Sequence, residues 1–270
     1  MTNSVTNAAL LEIARTIALE AGALAALRRS EGVSVVDRKS SPVDVVTAAD
    51  RETEAFIRAR LAELRPDDGF LGEESGAGTS TSGLTWIVDP IDGTVNFLYG
   101  IPNYSVSIAV VEGEPDPLTW TALAGAVFNP ETGESYTASA GGGAFLGDRR
   151  LEVPASVDLS QALIATGFAY SAEERGRQGA IVAQLLPEVR DIRRMGTSSL
   201  DLCAVATGRV NAYYEWTLSP WDHAAAALIA REAGATVKGR ADAAPSRDFI
   251  LAAAPELAIV LEAKLLALGA

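Results

Sequence analysis

The chain has 270 residues, enough to bury a large core as one big domain or two modest ones. Its net charge of −13 argues against a general nucleic-acid or anionic-membrane surface, and suits a well-solvated exterior or a site that gathers divalent cations. Cys203 is the only cysteine, which excludes an intrachain disulfide and fits a reducing cytoplasm.

Residues 8–27 are rich in apolar side chains but carry Glu12, Arg15 and Glu20, and no basic segment precedes them. Neither a signal peptide nor a membrane span is expected there. Instead Leu10, Ile13, Ala14, Ile17, Ala18 and Ala21 recur at helical spacing, predicting an amphipathic helix that ends near residues 28–32. After the loop Lys39-Ser40-Ser41-Pro42, a short strand over 43–46 leads to Thr47 and a second helix. Phe56, Ile57 and Leu61 form its buried stripe, and Pro66-Asp67-Asp68-Gly69 stops it. Strands are predicted over 70–72, 86–88, 106–111, 123–128 and 134–139, the last two joined by a hairpin turn through Asn129-Pro130-Glu131-Thr132-Gly133. The glycine run 141–143 marks another sharp reversal.

From about residue 156 the rhythm changes. Strands over 163–167, 189–193, 212–216 and 249–253 alternate with helices over 172–186, 199–207, 221–233 and 256–268. That alternation implies a second α/β layer. A boundary near Val157, without a flexible linker, divides the chain into residues 1–156 and 157–270, two halves expected to share an interface.

The most informative segment runs from Trp86 to Phe97, where an apolar run delivers two carboxylates, a proline, a glycine and a hydroxyl into one abrupt turn. Pro90 fixes its φ and offers no amide, so the strand is expected to end there. Gly93 allows close backbone approach, and the Gly93 and Thr94 amides face an anion if a helix begins here. Asp89 and Asp92 are hard oxygen donors of the kind Mg²⁺ prefers. Taken alone, Asp-Pro and Asp-Gly are common turn formers. An aspartyl-nucleophile phosphatase places its carboxylates at i and i+2, whereas the spacing here is i and i+3. Further acidic residues stand where other elements start or stop: Asp50 at the head of the second helix, Glu73 and Glu74 after a strand, and Asp222 where the helix after Pro220 opens. Each of these alone fits a helix N-terminus or a solvated loop.

Together these segments resemble the inositol monophosphatase family of Mg²⁺-dependent, lithium-sensitive phosphatases, over nearly the whole chain. The resemblance rests on residues 39–47 with Asp50, on Gly72-Glu73-Glu74-Ser75, and on residues 86–97. It continues in Gly196-Thr197-Ser198, Tyr213-Tyr214-Glu215, Trp221-Asp222 and Glu232-Ala233-Gly234.

The resemblance implies a layered αβαβα sugar-phosphatase fold, with a mostly antiparallel N-terminal sheet and a smaller C-terminal α/β half. The N-terminal half would carry most metal ligands, and the C-terminal half the substrate-binding residues and the last ligand. Glu73, Asp89 and the carbonyl of Ile91 would hold one Mg²⁺; Asp89, Asp92 and Asp222 a second; and a third ion would share Glu73. Thr94 and Asp50 would orient and deprotonate the attacking water near Glu73. The Gly93 and Thr94 amides would grip phosphate, while Gly196, Thr197, Ser198, Glu215, Asp92 and Asp222 would face the alcohol. Two cations about 3.5–4 Å apart would neutralise the phosphate and activate the water, so no protein nucleophile is required.

The implied reaction is hydrolysis of myo-inositol 1-phosphate or a close relative, with glycerol 2-phosphate and nucleoside monophosphates as further substrates. The alternatives are histidinol-phosphate phosphatase and, with less support, fructose-1,6-bisphosphatase or 3′-phosphoadenosine 5′-phosphate phosphatase. A binding role with the transcription machinery is the reading from another class. A cytoplasmic homodimer that binds neither nucleic acid nor membrane is expected. Three positions depart from the family pattern: His223, expected to be a packed or partly exposed imidazole and not a ligand, Ala49 and Ala235. Of the glutamate pair, the family uses the first, so Glu73 and not Glu74 is taken as the ligand.

Overall fold

The computed structural model describes residues 6–39 and 45–270, so the expected loop at 40–42 and the first half of the strand expected over 43–46 lie outside the described residues. The elements begin α1 (Asn7–Glu31), β1 (Val35–Arg38), β2 (Val45–Thr47), α2 (Ala48–Leu64), β3 (Gly69–Gly72), β4 (Gly76–Ala77), β5 (Leu84–Asp92) and α3 (Thr94–Tyr99). Next come β6 (Ser105–Glu112), β7 (Thr121–Asn129), β8 (Glu134–Ser139), β9 (Gly143–Leu146) and β10 (Arg149–Arg150). The remainder is β11 (Leu163–Thr166), α4 (Ala172–Leu185), β12 (Asp191–Arg193), α5 (Ser198–Ala206), β13 (Ala212–Glu215), α6 (Pro220–Glu232), β14 (Thr236–Lys238), β15 (Ile250–Ala253) and α7 (Pro255–Ala267).

An eight-stranded sheet runs β10-β9-β8-β7-β6-β5-β3-β4, and a five-stranded sheet runs β12-β11-β13-β15-β14. In the larger sheet only β3 and β5 pair parallel. The smaller sheet is mixed: β11 is parallel to β12 and β13, while β15 is antiparallel to β13 and β14.

Strand alternation explains how the layers stack. Trp86, Val88, Val106, Ile108 and Val110 pack with Leu10, Ile17 and Ile57 of α1 and α2. Their neighbours Ile87, Ala109 and Val111 pack with α5 and α6 on the other face. Strands covered on both faces read as unbroken apolar runs, as these do. The smaller sheet behaves the same way: Ala165 and Tyr213 join the α5/α6 core, while Ile164, Ala212 and Tyr214 join α4 and α7. The five layers are therefore α1/α2, the large sheet, α5/α6, the small sheet, and α4/α7, the expected αβαβα order. α6 can lie between two sheets because alanines occupy positions 224–227 and 230, which keeps the helix thin.

One expectation fails. β5 does not end at Pro90 but runs to Asp92. The ladder with β6 is irregular between Asp89 and Asp92 and resumes with Asp92 opposite Ser105. Pro90, which has no amide to donate, falls in that interruption, so the bulge absorbs it without ending the strand.

Gly125 on β7 marks the closest approach of α6 to the large sheet: a Cβ there would lie 2.9 Å from Ala225 Cα. Gly125→Val should therefore force sheet and helix apart and cost roughly 1–3 kcal/mol in chemical denaturation. A loss below about 0.5 kcal/mol would show that the helix is free to shift outward.

Candidate active site

The strand pattern that builds the core also aims the carboxylates. Asp89 lies two residues beyond Ile87, so it faces the α5/α6 layer, from which Asp222 emerges at the start of α6. The parallel register sets Gly72 of β3 beside Val88, and the Glu73 amide donates to the Val88 carbonyl at 3.2 Å. Glu73 is thereby delivered alongside Asp89. The bulge at Pro90 carries Asp92 toward α5, where its Oδ2 accepts the Ser199 amide (2.8 Å) and hydroxyl (2.5 Å). On β13, Tyr213 and Glu215 share the inward face, and the Tyr213 hydroxyl donates to Glu215 at 2.6 Å.

Helix starts supply the remaining groups. Asp50 stands in the first turn of α2, where its Oδ2 accepts the Thr47 amide (2.8 Å) and hydroxyl (2.5 Å). Its Oδ1 lies 3.2 Å from the Thr94 hydroxyl, which is equally near the Ile91 carbonyl. The capping role that Asp50 has in isolation and its contact with Thr94 therefore coexist, one on each oxygen. Asp222 Oδ2 accepts the Ser219 amide at 2.6 Å. Gly93 has φ of 95° and precedes α3, a backbone that glycine adopts without strain. A Cβ there would crowd the Asn103 and Gly196 carbonyls at 3.2 and 3.3 Å.

One cavity of about 470 Å³ brings these groups together. Glu73, Asp89, Ile91, Asp92, Gly93, Thr94, Gly196, Thr197, Ser198, Glu215 and Asp222 all line it. Asp50 stands behind Thr94. Glu74 does not line the cavity and Glu73 does. Lys39 Nζ sits 2.8 Å from Glu73 and 2.5 Å from Glu74, an ammonium seated on the pair.

Electrostatically the cavity is under stress. Burial is the largest cause in each case: it raises Asp50 to about 6 and Glu73 and Glu215 to about 7. Burial and then the Glu73 charge push Asp89 and Asp222 well above the usual carboxylate range. Asp92 is also raised by burial, with Ser199 opposing. Among the described residues no group of three or more His, Cys, Asp or Glu side chains is placed to hold a metal ion as it stands. The donor set around the cavity is nonetheless all hard carboxylate oxygen, with neither thiolate nor imidazole lining it, which is the chemistry that suits Mg²⁺.

His223 lines a different, small cavity beside Trp120, its ring centroid 6.2 Å away, and burial pushes its pKa down to about 4. It is packed and neutral, as expected of the residue after Asp222. Ser199, Arg194, Asp201, Tyr213 and Asn96 escaped the sequence reading as site residues. Asn96 lies inside the 86–97 signature, and its amide donates to the Asn103 and Met195 carbonyls at 2.7 and 2.8 Å, tying α3 to the loop before α5. Ser199 is the residue after Gly196-Thr197-Ser198, so its position in that run was the available signal.

The model of the inositol monophosphatase family matches residues 6–266. An inositol-1-monophosphatase of Mycobacterium leprae is 45% identical over 274 aligned positions, covering 94% of this chain and 92% of that protein. The solved structure of Mycobacterium tuberculosis SuhB is 42% identical, with a TM-score of 0.82 over 98% of both chains. A putative Nus factor SuhB of Neisseria meningitidis is 41% identical over 72% of this chain and 73% of its own length. The chain belongs to the inositol monophosphatase family and is a phosphoric monoester hydrolase.

Proposed function

We propose that this chain hydrolyses the phosphate monoester of a polyol, myo-inositol 1-phosphate or a close relative, with two or three Mg²⁺ ions. The observation that carries the reading is the single cavity in which Glu73, Asp89, Asp92 and Asp222 converge beside Gly93, Thr94 and Glu215. Glu73, Asp89 and the Ile91 carbonyl would hold one ion, and Asp89, Asp92 and Asp222 the next, with a third sharing Glu73. Bound there, the cations neutralise the phosphate, acidify water and stabilise the departing alkoxide. Thr94 orients the attacking water, and Asp50, with a pKa of about 6, takes up its proton through the Thr94 hydroxyl. The Gly93 and Thr94 amides bind phosphate oxygens. Glu215, held by Tyr213, accepts a hydroxyl of the alcohol beside Gly196, Thr197 and Ser198.

The division into residues 1–156 and 157–270 belongs to the same proposal, supported by the two sheets that end on either side of the cavity. The family resemblance supports lithium inhibition, a homodimer and a cytoplasmic location, and among the described residues no helix is long and apolar enough to cross a membrane. The name of the Neisseria relative favours a second reading, a protein contact with the transcription machinery, which retention of the full carboxylate set does not contradict.

Asp89→Asn tests the assignment. Removing the shared anionic ligand weakens both cation positions, so turnover should vanish while the fold persists. Activity above roughly a tenth of wild type at saturating Mg²⁺ would sink the two-ion scheme.

The raised carboxyls make a second prediction. Groups with folded values of about 6 to 7 stabilise the fold fully below their unfolded values near 4, and that contribution is lost as pH climbs through 7. In chelator the melting temperature should therefore fall between about pH 5 and pH 8. Mg²⁺ should restore it more at the upper end, because it binds the ionised site. A Mg²⁺ gain that is equal at both ends contradicts the cation assignment.

Glu215 reads the alcohol. Glu215→Gln should lower kcat/KM for inositol 1-phosphate by roughly tenfold to a hundredfold, as a charged acceptor on a hydroxyl is worth about 1.5–3 kcal/mol. A wild type that prefers histidinol phosphate by more than about tenfold in kcat/KM replaces the polyol with an amino alcohol.

A further inference from the structure

Asp201 is a buried carboxylate in the first turn of α5, where the helix dipole favours an anion but no protein group bonds its Oδ1. It sits on α5 with 1% of its surface exposed, among Leu200, Leu202 and Cys203, where an apolar side chain would pack at less cost. Its Oδ1 is closed to solvent and has no hydrogen-bond partner. Buried polar groups are almost always satisfied within the protein, so an orphaned carboxylate oxygen calls for a partner from elsewhere. The side chain lines the catalytic cavity, together with Glu215 and Arg194. Burial and then the Glu215 charge push its carboxyl well above the ordinary range, with Arg194 as the opposing cation. Arg194 also opposes the rise at Glu215, so one guanidinium serves two carboxylates.

The surroundings narrow what the missing partner is. An anionic substituent on the alcohol would meet both carboxylates and be repelled. A hydroxyl donor suits the site whatever the ionisation of Asp201, because a carboxyl offers a free acceptor oxygen in either state. Glu215 has one oxygen bonded to the Tyr213 hydroxyl, which leaves the pair less than its full accepting capacity. A cyclic polyol presents hydroxyls on adjacent carbons, which match acceptors arriving from two neighbouring elements, β13 and α5.

We propose that Asp201 is a specificity-determining residue that accepts a second hydroxyl of the alcohol, beside the one accepted by Glu215. The proposal rests on the polyol reading given above. It assigns to the substrate the edge of the carboxylate that lines the cavity, and explains why α5 keeps a carboxylate that no protein group bonds.

The test compares inositol 1-phosphate with cyclohexyl phosphate, the same ring without hydroxyls, in the full-length wild type and in Asp201→Asn, with Asp201→Ala as a second variant. The ratio of kcat/KM between the two esters should fall about tenfold in Asp201→Ala, carried mainly by KM for the polyol, and less in Asp201→Asn, whose amide oxygen still accepts. The melting temperature of Asp201→Asn should hold or rise, because the amide removes a buried ionisable group that the Arg194 charge offsets only in part and no hydrogen bond satisfies. A structural role predicts the opposite, a lower melting temperature with both esters impaired in parallel, and that result would overturn the proposal. A wild type that strongly prefers the polyol, beside variants that keep the same preference, overturns this proposal alone. A wild type with no preference between the esters overturns the polyol reading, and this proposal with it.

Discussion

Carboxylates crowded into a desolvated cavity repel one another, and the rest of the structure holds them there against that repulsion. Five of them are tethered by nearby donors: Asp50 by Thr47, Asp89 by the Ile91 amide, Asp92 by Ser199, Asp222 by the Ser219 amide, and Glu215 by Tyr213. Asp50 and Asp222 also occupy first turns of helices, where the positive end of the helix dipole favours an anion. These donors lower the carboxyl pKa values, yet burial outweighs them in every raised group. The site is therefore built for positive charge, and Lys39 on Glu73 already supplies part of it.

The tethers also join the two sheets. Asp92 from the end of β5 is bonded to Ser199 at the start of α5, and Ser199 in turn meets the hydroxyl of Ser105 on β6. Ser198 donates to the Asp222 carbonyl at 2.8 Å, linking α5 to α6. The bonds that aim these carboxylates are thus the same bonds that fix the middle helical layer against the large sheet. Disturbing the packing of α5 or α6 moves Asp222 relative to Asp89, which ties catalysis to core geometry far from the cavity.

How much of this could be read from residue order depended on range. Apolar periodicity located α1, α2 and the main strands, because burial on one or both faces leaves a local signature in residue type. Short pairings such as β4, β10 and β14 left none, since two or three residues carry too little pattern. The Pro90 error was also one of range. A missing amide ends a strand only if the partner strand needs that amide, and the bulge opposite β6 removed the need. At the site, Gly93, Asp89 and Asp92 were legible as a compact motif. Asp201 and Arg194 were not, because their significance comes from facing Glu215 across a cavity, a relation between α5, the loop before it and β13 that no local pattern contains. Glu73 and not Glu74 lines the cavity, a difference set by the register of β3 on β5.

The alternation of β13 has a consequence for how such an enzyme changes its substrate. Tyr213 and Glu215 face inward and Tyr214 outward, so a slip of one residue would turn Glu215 toward α4 and α7 and bring the Tyr214 ring into the α5 layer. A length change in this strand would displace Glu215 and disrupt the core together, whereas an exchange at position 215 or at the glycine facing it alters only the cavity lining. Gly167 is that glycine: any side chain there would overlap the Glu215 carboxylate. The cavity lining on this strand is thus open to point replacement and closed to insertion, because its register is shared with the core.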